Sequence, residues 1–356
     1  MKKLLSIILA VAMGCTLAAC GGSKPAETTA APAAAATTAA AAAETTAAPA
    51  PAAPAAAGGD FIMGTGSSGG TYFALGGAMA NAINNKLAAD GITITAQSTG
   101  ASVENMNLMQ AGEMDLGIAM NNVAANAHDG TGAFSAPCDN VAAIGVVYNE
   151  VYQIVANAEL GAKEVADLKG KKIAIGPAGS GTLGLSQLVF AAAGVDPQKD
   201  IEPQSDSFGD AATKMKDGHI DAACNVLAVP ASSIIEMTTS MKLSYININD
   251  DILKAIQADA PYFTRKVIPA GTYPDQTEDC NTVTCKAVLY CRADMDEEVI
   301  YKITKAFYES GDEIAAAHAT GKEVQLEGCL EGVTTPIHPG AAKYFKEMGM
   351  EVPDNK

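Results

Sequence analysis

The chain has 356 residues, 48% of them hydrophobic, only 5% aromatic, with no Trp and a formal net charge of −17. An acidic chain whose only arginines are Arg265 and Arg292 has little with which to neutralise phosphates, which excludes an unaided nucleic-acid binder. The length allows two or three domains and a sizeable core, although much of the hydrophobic fraction is alanine crowded into one stretch.

The N-terminal segment 1–19 reads as an export signal. Met1-Lys2-Lys3 is basic, Leu4 to Leu17 is apolar, and Leu17-Ala18-Ala19 offers small residues for cleavage. Cys20 follows directly, as in the lipobox of bacterial lipoproteins, which it resembles; the resemblance implies a diacylglyceryl thioether on Cys20 and attachment to the bilayer. Segment 20–59 is almost entirely Ala, Thr and Pro, with Lys24, Glu27 and Glu44 its only charges. Its prolines interrupt any helix and it has no large apolar side chain to seed a core, so a disordered linker is expected. The acidity therefore belongs to the body from Asp60 onward.

Asp60 to Gly64 reads as a short strand, and Tyr72, Leu75, Met79, Ile83 and Leu87 then recur at helical spacing. Ile92 to Gln97 alternates as a strand, Val103 to Gln110 reads as a helix, and Met114 to Met120 is a second apolar run. The alternation restarts with Lys172 to Gly176, a helix from about Leu183 to Ala193, a helix near Ala211, the run Ile220 to Val226 and a helix near Ser232. Two such units predict an α/β protein of two lobes with mainly parallel sheets flanked by helices. The long extended stretches Ala142 to Asn157 and Thr282 to Arg292 bracket the second unit, as two interlobe crossing strands would. Helices over Glu297 to Tyr308 and Ala341 to Glu347 then return to the first lobe. The expected boundaries are 60–150 with 281–356 for lobe 1 and 151–280 for lobe 2.

Beyond Cys15 and Cys20, six cysteines remain: Cys138, Cys224, Cys280, Cys285, Cys291 and Cys329. They permit disulfides in an exported chain, or buried free thiols; spacing does not choose between these. Cys285 and Cys291 are expected on one face of an extended segment, too far apart to bond each other. No cysteine or histidine cluster has the spacing of a metal site.

Gly64-Thr65-Gly66-Ser67-Ser68-Gly69 matches a dinucleotide fingerprint, but the second strand ends in Gln97-Ser98, where a ribose would need an acid. No Lys follows the glycines, so the loop is not a P-loop either, and no cofactor is expected. Gly66 to Gly70 also reads as GxSxG with Ser68 as nucleophile. An exported serine hydrolase is the alternative, with His128, His219, His318 and His338 as the available bases. The simpler reading is that small hydroxyls and free amides collect at a helix start, where anions bind. The construction recurs at Ser98-Thr99-Gly100-Ala101-Ser102 and at Gly176 to Thr182, which would bring helix starts from both lobes to one cleft. None of these loops carries Lys or Arg.

These loops resemble the TAXI-type solute receptors of TRAP transporters. The resemblance runs from Phe61 to Gly349 and includes GTGSSGGTYFALGGAMA, QSTGASVENMNLMQAGEMDLGIAMNNVA, VADLKGKKIAIGPAGSGT, AGTYPDQTEDC and PIHPGAAKYFKEMG. It implies a type II periplasmic-binding-protein fold that closes over a small carboxylate-bearing solute: glutamate, glutamine or a dicarboxylate such as 2-oxoglutarate. It also implies delivery to TRAP membrane subunits, an extracytoplasmic lipid-anchored location and no enzymatic activity. Carried over residue by residue, the ligand site comprises Gly66, Ser67, Ser68, Thr71 and Tyr72, then Ser98, Thr99 and Ser102, then Asn121 and Asn122, then Gly179, Ser180 and Thr182. Tyr148 and Glu150 would meet an ammonium or hydroxyl group. The chain departs from the family at Ala101, where a second glycine is usual, at Asn121-Asn122, and in the stretch Asn225 to Pro230.

Overall fold

The computed structural model describes residues 58–355, so the signal segment, Cys20 and all but the last two residues of the linker lie outside the described residues. The first strand, β1 (Gly59–Gly64), begins one residue before the expected Asp60. Its chain then turns through Gly69, at φ +76°, into α1 (Thr71–Leu87). The helical stripe Tyr72, Leu75, Met79, Ile83 and Leu87 is buried along its whole length. β2 (Ile92–Gln97), α2 (Ser102–Gln110), β3 (Leu116–Met120) and α3 (Asn121–Asp129) complete the first half.

β4 (Val141–Asn157) leads into the second half. This consists of β5 (Lys172–Ala174), α4 (Gly181–Ala192), β6 (Glu202–Gln204), α5 (Phe208–Lys216), β7 (Ala222–Leu227) and α6 (Ser232–Thr238), followed by β8 (Leu243–Ile246), α7 (Asp250–Asp259) and β9 (Thr264–Ile268). β10 (Cys280–Arg292) runs back to the first half, and α8 (Glu297–Glu309), α9 (Gly311–Ala317) and α10 (Pro339–Glu347) follow. The start of α8 is fixed by Asp296, whose carboxylate accepts from the amides of Glu298 and Val299. Pro339 opens α10, where a missing N–H costs nothing.

The strands form one curled sheet in the order β2-β1-β3-β10-β4-β7-β5-β6, with β8 joined to β4 and β9 to β10. Pairing is parallel at both ends, β1 with β2 and β3, and β5 with β6 and β7. It is antiparallel in the middle, where β10 pairs with β3 and β4 and β4 pairs with β7. The two long strands thus belong to both halves: Ile118 faces Leu289 across one ladder and Ile154 faces Cys224 across another. Their mutual register slips at Ala287/Val288 and again at Leu289/Tyr290, which leaves Val147 and Ile144 of β4 as extra residues. Bulges of this kind bend a strand and increase its twist. The architecture is a two-lobed α/β fold joined by two crossing strands.

One core cluster packs α1 against α8 and α10 through Leu75, Ile83, Ile300, Phe307 and Phe345. Another fills the second half around Ala212, Met215, Ile234 and Tyr273. The six cysteines are all buried and free. Cys285 and Cys291 enter different core clusters, because β10 passes from one half to the other between them. No helix among the described residues is long and apolar enough to cross a membrane.

Candidate functional site

A narrow cavity lies where the two halves meet. Its walls are the starts of four helices: Gly70, Thr71 and Tyr72 at α1, Ala101 and Ser102 at α2, Ser180, Gly181 and Thr182 at α4, and Phe208 at α5. Gly66 and Ser67 of the β1–α1 loop, Met120 at the end of β3, Glu150 of β4, and Val226 and Leu227 of β7 complete it. In a helix the first amides have no intrahelical partner, so a wall built from helix starts is rich in donors and in partial positive charge. No Lys or Arg lines the cavity, and Glu150 is its only side chain that ionises in the ordinary pH range.

The two halves touch around this cavity. The Thr71 hydroxyl accepts from the Ala228 amide at 3.0 Å, and the Gly209 amide donates to the Ser68 carbonyl at 3.1 Å. The Gly179 carbonyl accepts from the amides of Val103 and Glu104, at 2.9 and 3.1 Å. Two amides at the start of α2 are therefore given to the opposite half. The backbones approach so closely that a Cβ on Gly100 would stand 2.4 Å from the Ala178 carbonyl oxygen.

Of the residues expected at the site, Gly66, Ser67, Thr71, Tyr72, Ser102, Glu150, Ser180 and Thr182 line the cavity. Ser67 keeps its Oγ buried with no hydrogen-bond partner among the described residues, so it is available to a solute. Ser102 and Ser180 are engaged locally: Ser102 Oγ accepts from the Met120 amide, and Ser180 Oγ donates to the Pro177 carbonyl and caps α4 at Leu183. The others support the walls. Ser98 Oγ donates to the Gly66 carbonyl. Thr99 Oγ donates to Asn105 Oδ1 at 2.8 Å. Asn121 bonds Gly332 and the Lys286 amide, Asn122 is buried beside it in α3, and Gly179 forms the seam with α2. Ser68 is exposed and outside the cavity, and none of the four histidines lines it. His338 caps α10 and bonds the Met295 carbonyl, while His318 caps the turn at Thr320.

Glu150 lies at the inner end, 2% exposed. Its Oε2 accepts from the Tyr72 hydroxyl at 2.8 Å and its Oε1 from the Tyr148 hydroxyl at 3.2 Å. The two rings meet edge to face, 6.2 Å between centroids. Burial pushes the Glu150 carboxyl up to about 8, against the two phenol hydrogen bonds, which act to lower it. Burial and then the Glu150 charge hold both phenols well above their ordinary value.

Sequence reasoning did not find Phe208, Met120, Val226, Leu227 or the buried Asn105. Asn105 donates from Nδ2 to the carbonyls of Thr65 and Ile118, at 2.9 and 2.8 Å, which ties two site loops to β3. A lone Asn on the buried stripe of a predicted helix was the available signal.

With the geometry in hand, comparison with known families matches residues 63–349 to the model of the NMT1-like family. The chain belongs to the NMT1-like family. Among solved structures, this NMT1-like protein is similar to MatC from Rhodopseudomonas palustris with bound malate, at 12% identity and a TM-score of 0.53, covering 82% of this chain and 96% of that one. It also matches the substrate-binding protein of an amino acid ABC transporter, at 16% identity, TM-score 0.45 and coverage of 73% and 97%. The periplasmic aliphatic sulphonate binding protein SsuA from Escherichia coli matches at 16% identity, TM-score 0.42 and coverage of 81% and 82%. The likeness to MatC shows that this NMT1-like chain shares its overall fold.

Proposed function

We propose that the protein is an extracytoplasmic solute receptor, lipid-anchored through Cys20, serving the membrane subunits of a TRAP-type transporter as a TAXI-type receptor does. Lobe 1 (60–150 and 281–356) and lobe 2 (151–280) close over a small carboxylate-bearing solute, with glutamate, glutamine and 2-oxoglutarate as the first compounds to test. One observation carries this reading: the cavity between the halves is walled by helix starts from both, without Lys or Arg. Each helix end contributes about 0.3–1 kcal/mol toward an anion, and up to ~2 kcal/mol when partly buried. Several acting with hydroxyl donors reach the roughly 8 kcal/mol of micromolar binding.

A thermal-shift screen of amino acids and dicarboxylates tests the proposal. The expected outcome is a melting temperature that climbs with solute concentration, by the equivalent of about 2.7 kcal/mol at a hundredfold excess over Kd. If no solute shifts it while a chromogenic ester is hydrolysed in a Ser68-dependent way, the receptor reading is wrong. The exposed position of Ser68, outside the cavity, weighs against that result.

A further inference from the structure

Glu150 is a carboxyl group buried without a cation. It projects from a crossing strand, and four residues face it. Tyr72 of α1 and Tyr148 of β4 donate to its oxygens, Thr71 lies beside Tyr148, and Cys285 stands opposite it in register on β10. The nearest basic neighbour along that strand, Lys286, is turned away: its Nζ is 2.9 Å from both Asn149 Oδ1 and Glu331 Oε2. Among the cavity-lining residues there is no cationic partner. An ionised carboxylate in such a place is costly unless it is paired. The helix starts that line the same cavity have the complementary property and favour negative charge.

We propose that Glu150 receives the ammonium group of the solute while the helix starts receive its carboxylate, so that the solute is an α-amino acid and not a nitrogen-free dicarboxylate. This rests on the receptor reading of the same cavity and narrows it. Tyr72 and Tyr148 are positioning residues, which hold the carboxylate toward the cavity.

The chemistry sets a proton balance. Without solute, Glu150 holds its proton up to about pH 8; pairing with an ammonium ion favours the ionised form, so binding below that pH releases a proton to solvent. Affinity for the amino acid therefore rises as pH rises toward 8. A solute carboxylate held by a protonated Glu150 would behave in the opposite sense, taking up a proton and weakening as pH rises. The facing phenols and the Cys285 thiol are all shifted upward, away from this window. In the free protein the raised carboxyl stabilises the fold fully below its ordinary value of 4.5, and that contribution is lost as pH rises through about 8.

The test uses the purified full-length protein and matched pairs that differ only at C2: L-glutamate with 2-oxoglutarate, L-alanine with pyruvate, L-leucine with 4-methyl-2-oxopentanoate. We expect at least one amino acid to raise the melting temperature and its 2-oxo partner not to. Calorimetry near pH 6.5, in two buffers of different ionisation enthalpy, then shows proton release. Glu150→Gln lowers affinity on the order of 100-fold, abolishes the proton release and flattens the melting temperature of the free protein against pH. Glu150→Asp retains the proton release at reduced affinity, which separates lost charge from lost packing. A 2-oxo acid that binds as tightly as its amino partner, proton uptake on binding, or unchanged affinity in Glu150→Gln overturns the proposal while the receptor reading stands. Silence from every member of both series overturns the receptor reading, and the proposal with it.

Discussion

Single residues decide the shape of the cavity as much as its chemistry. Ala101 stands at φ +82° and ψ −138°, a conformation open to glycine and strained for any residue with a Cβ, and its methyl group lines the cavity. Strain of this type costs about 1–3 kcal/mol, while glycine gives back about 0.4–1 kcal/mol through the unfolded chain. Ala101→Gly is thus expected to raise stability by about 1 kcal/mol in a urea titration; a lowered midpoint would mean that the methyl group's packing outweighs its strain. The sequence reading singled out this position, since a glycine is usual there in the family the chain resembles, yet composition alone could not give its backbone angles. Glu150 was legible as a site residue only through that resemblance. Nothing in the alternation of β4 distinguishes a buried acid from one facing solvent, because both faces of a crossing strand are covered.

The helices and strands explain why loops so far apart in the chain meet in one place. Asn105, fully buried in α2, bridges Thr65, Thr99 and Ile118 and so locks the ends of three neighbouring strands together. Replacing it with Ala removes three buried hydrogen bonds, and only the weaker Thr99 Oγ1–Thr65 carbonyl contact at 3.3 Å still joins the first two loops through a side chain. Asn105→Ala should therefore cost about 2–4 kcal/mol, read from the shift in the urea midpoint, and a loss below about 1 kcal/mol would show that the strands hold the loops unaided. The elements with strong periodicity were readable in advance: the α1 stripe, the α8 stripe and the long runs of β4 and β10 lie within a few residues of their expected bounds. α3, α7, β8 and β9 were not. α3 opens with Asn121-Asn122, which reads as a turn, and β9, Thr264–Ile268, carries Arg265 and Lys266 in place of an apolar alternation. Arg265 is there for a tertiary reason, holding the Ile248 carbonyl and Asp250. Such contacts across the chain leave no local periodicity to detect.

At the scale of the whole molecule, the contact between the halves depends on bare backbone at the seam. Gly100 has no side chain to hold off the Ala178 carbonyl, and its own conformation does not demand glycine. Gly100→Ala should consequently force the seam apart and lower the stability of the free protein by about 1–3 kcal/mol, read from the urea midpoint. If the receptor proposal holds, the same change should also weaken solute binding at least tenfold, measured by calorimetry. A variant that keeps the parent's stability and binds normally would show that the seam yields elsewhere. The two-lobed arrangement itself was readable from the pair of long extended runs, whereas the insertion of β10 between β3 and β4 was not, since no local pattern records which strands become neighbours. That insertion has a consequence for how the chain acquires its structure. β3 has a ladder with β1, and β4 has ladders with β7 and β8, yet these two parts of the sheet are joined only when β10 arrives from later in the chain. Contacts of such long range slow folding, and unpaired strand edges invite association with other chains. A polypeptide emerging vectorially from its N-terminus can pair β1 to β3 first and β4 with β7 and β8 next, while the edges of β3 and β4 that await β10 stay exposed. A truncation before Cys280 should then yield aggregate instead of a smaller soluble body, because the last strand to be synthesised among the described residues is the one that seals the sheet.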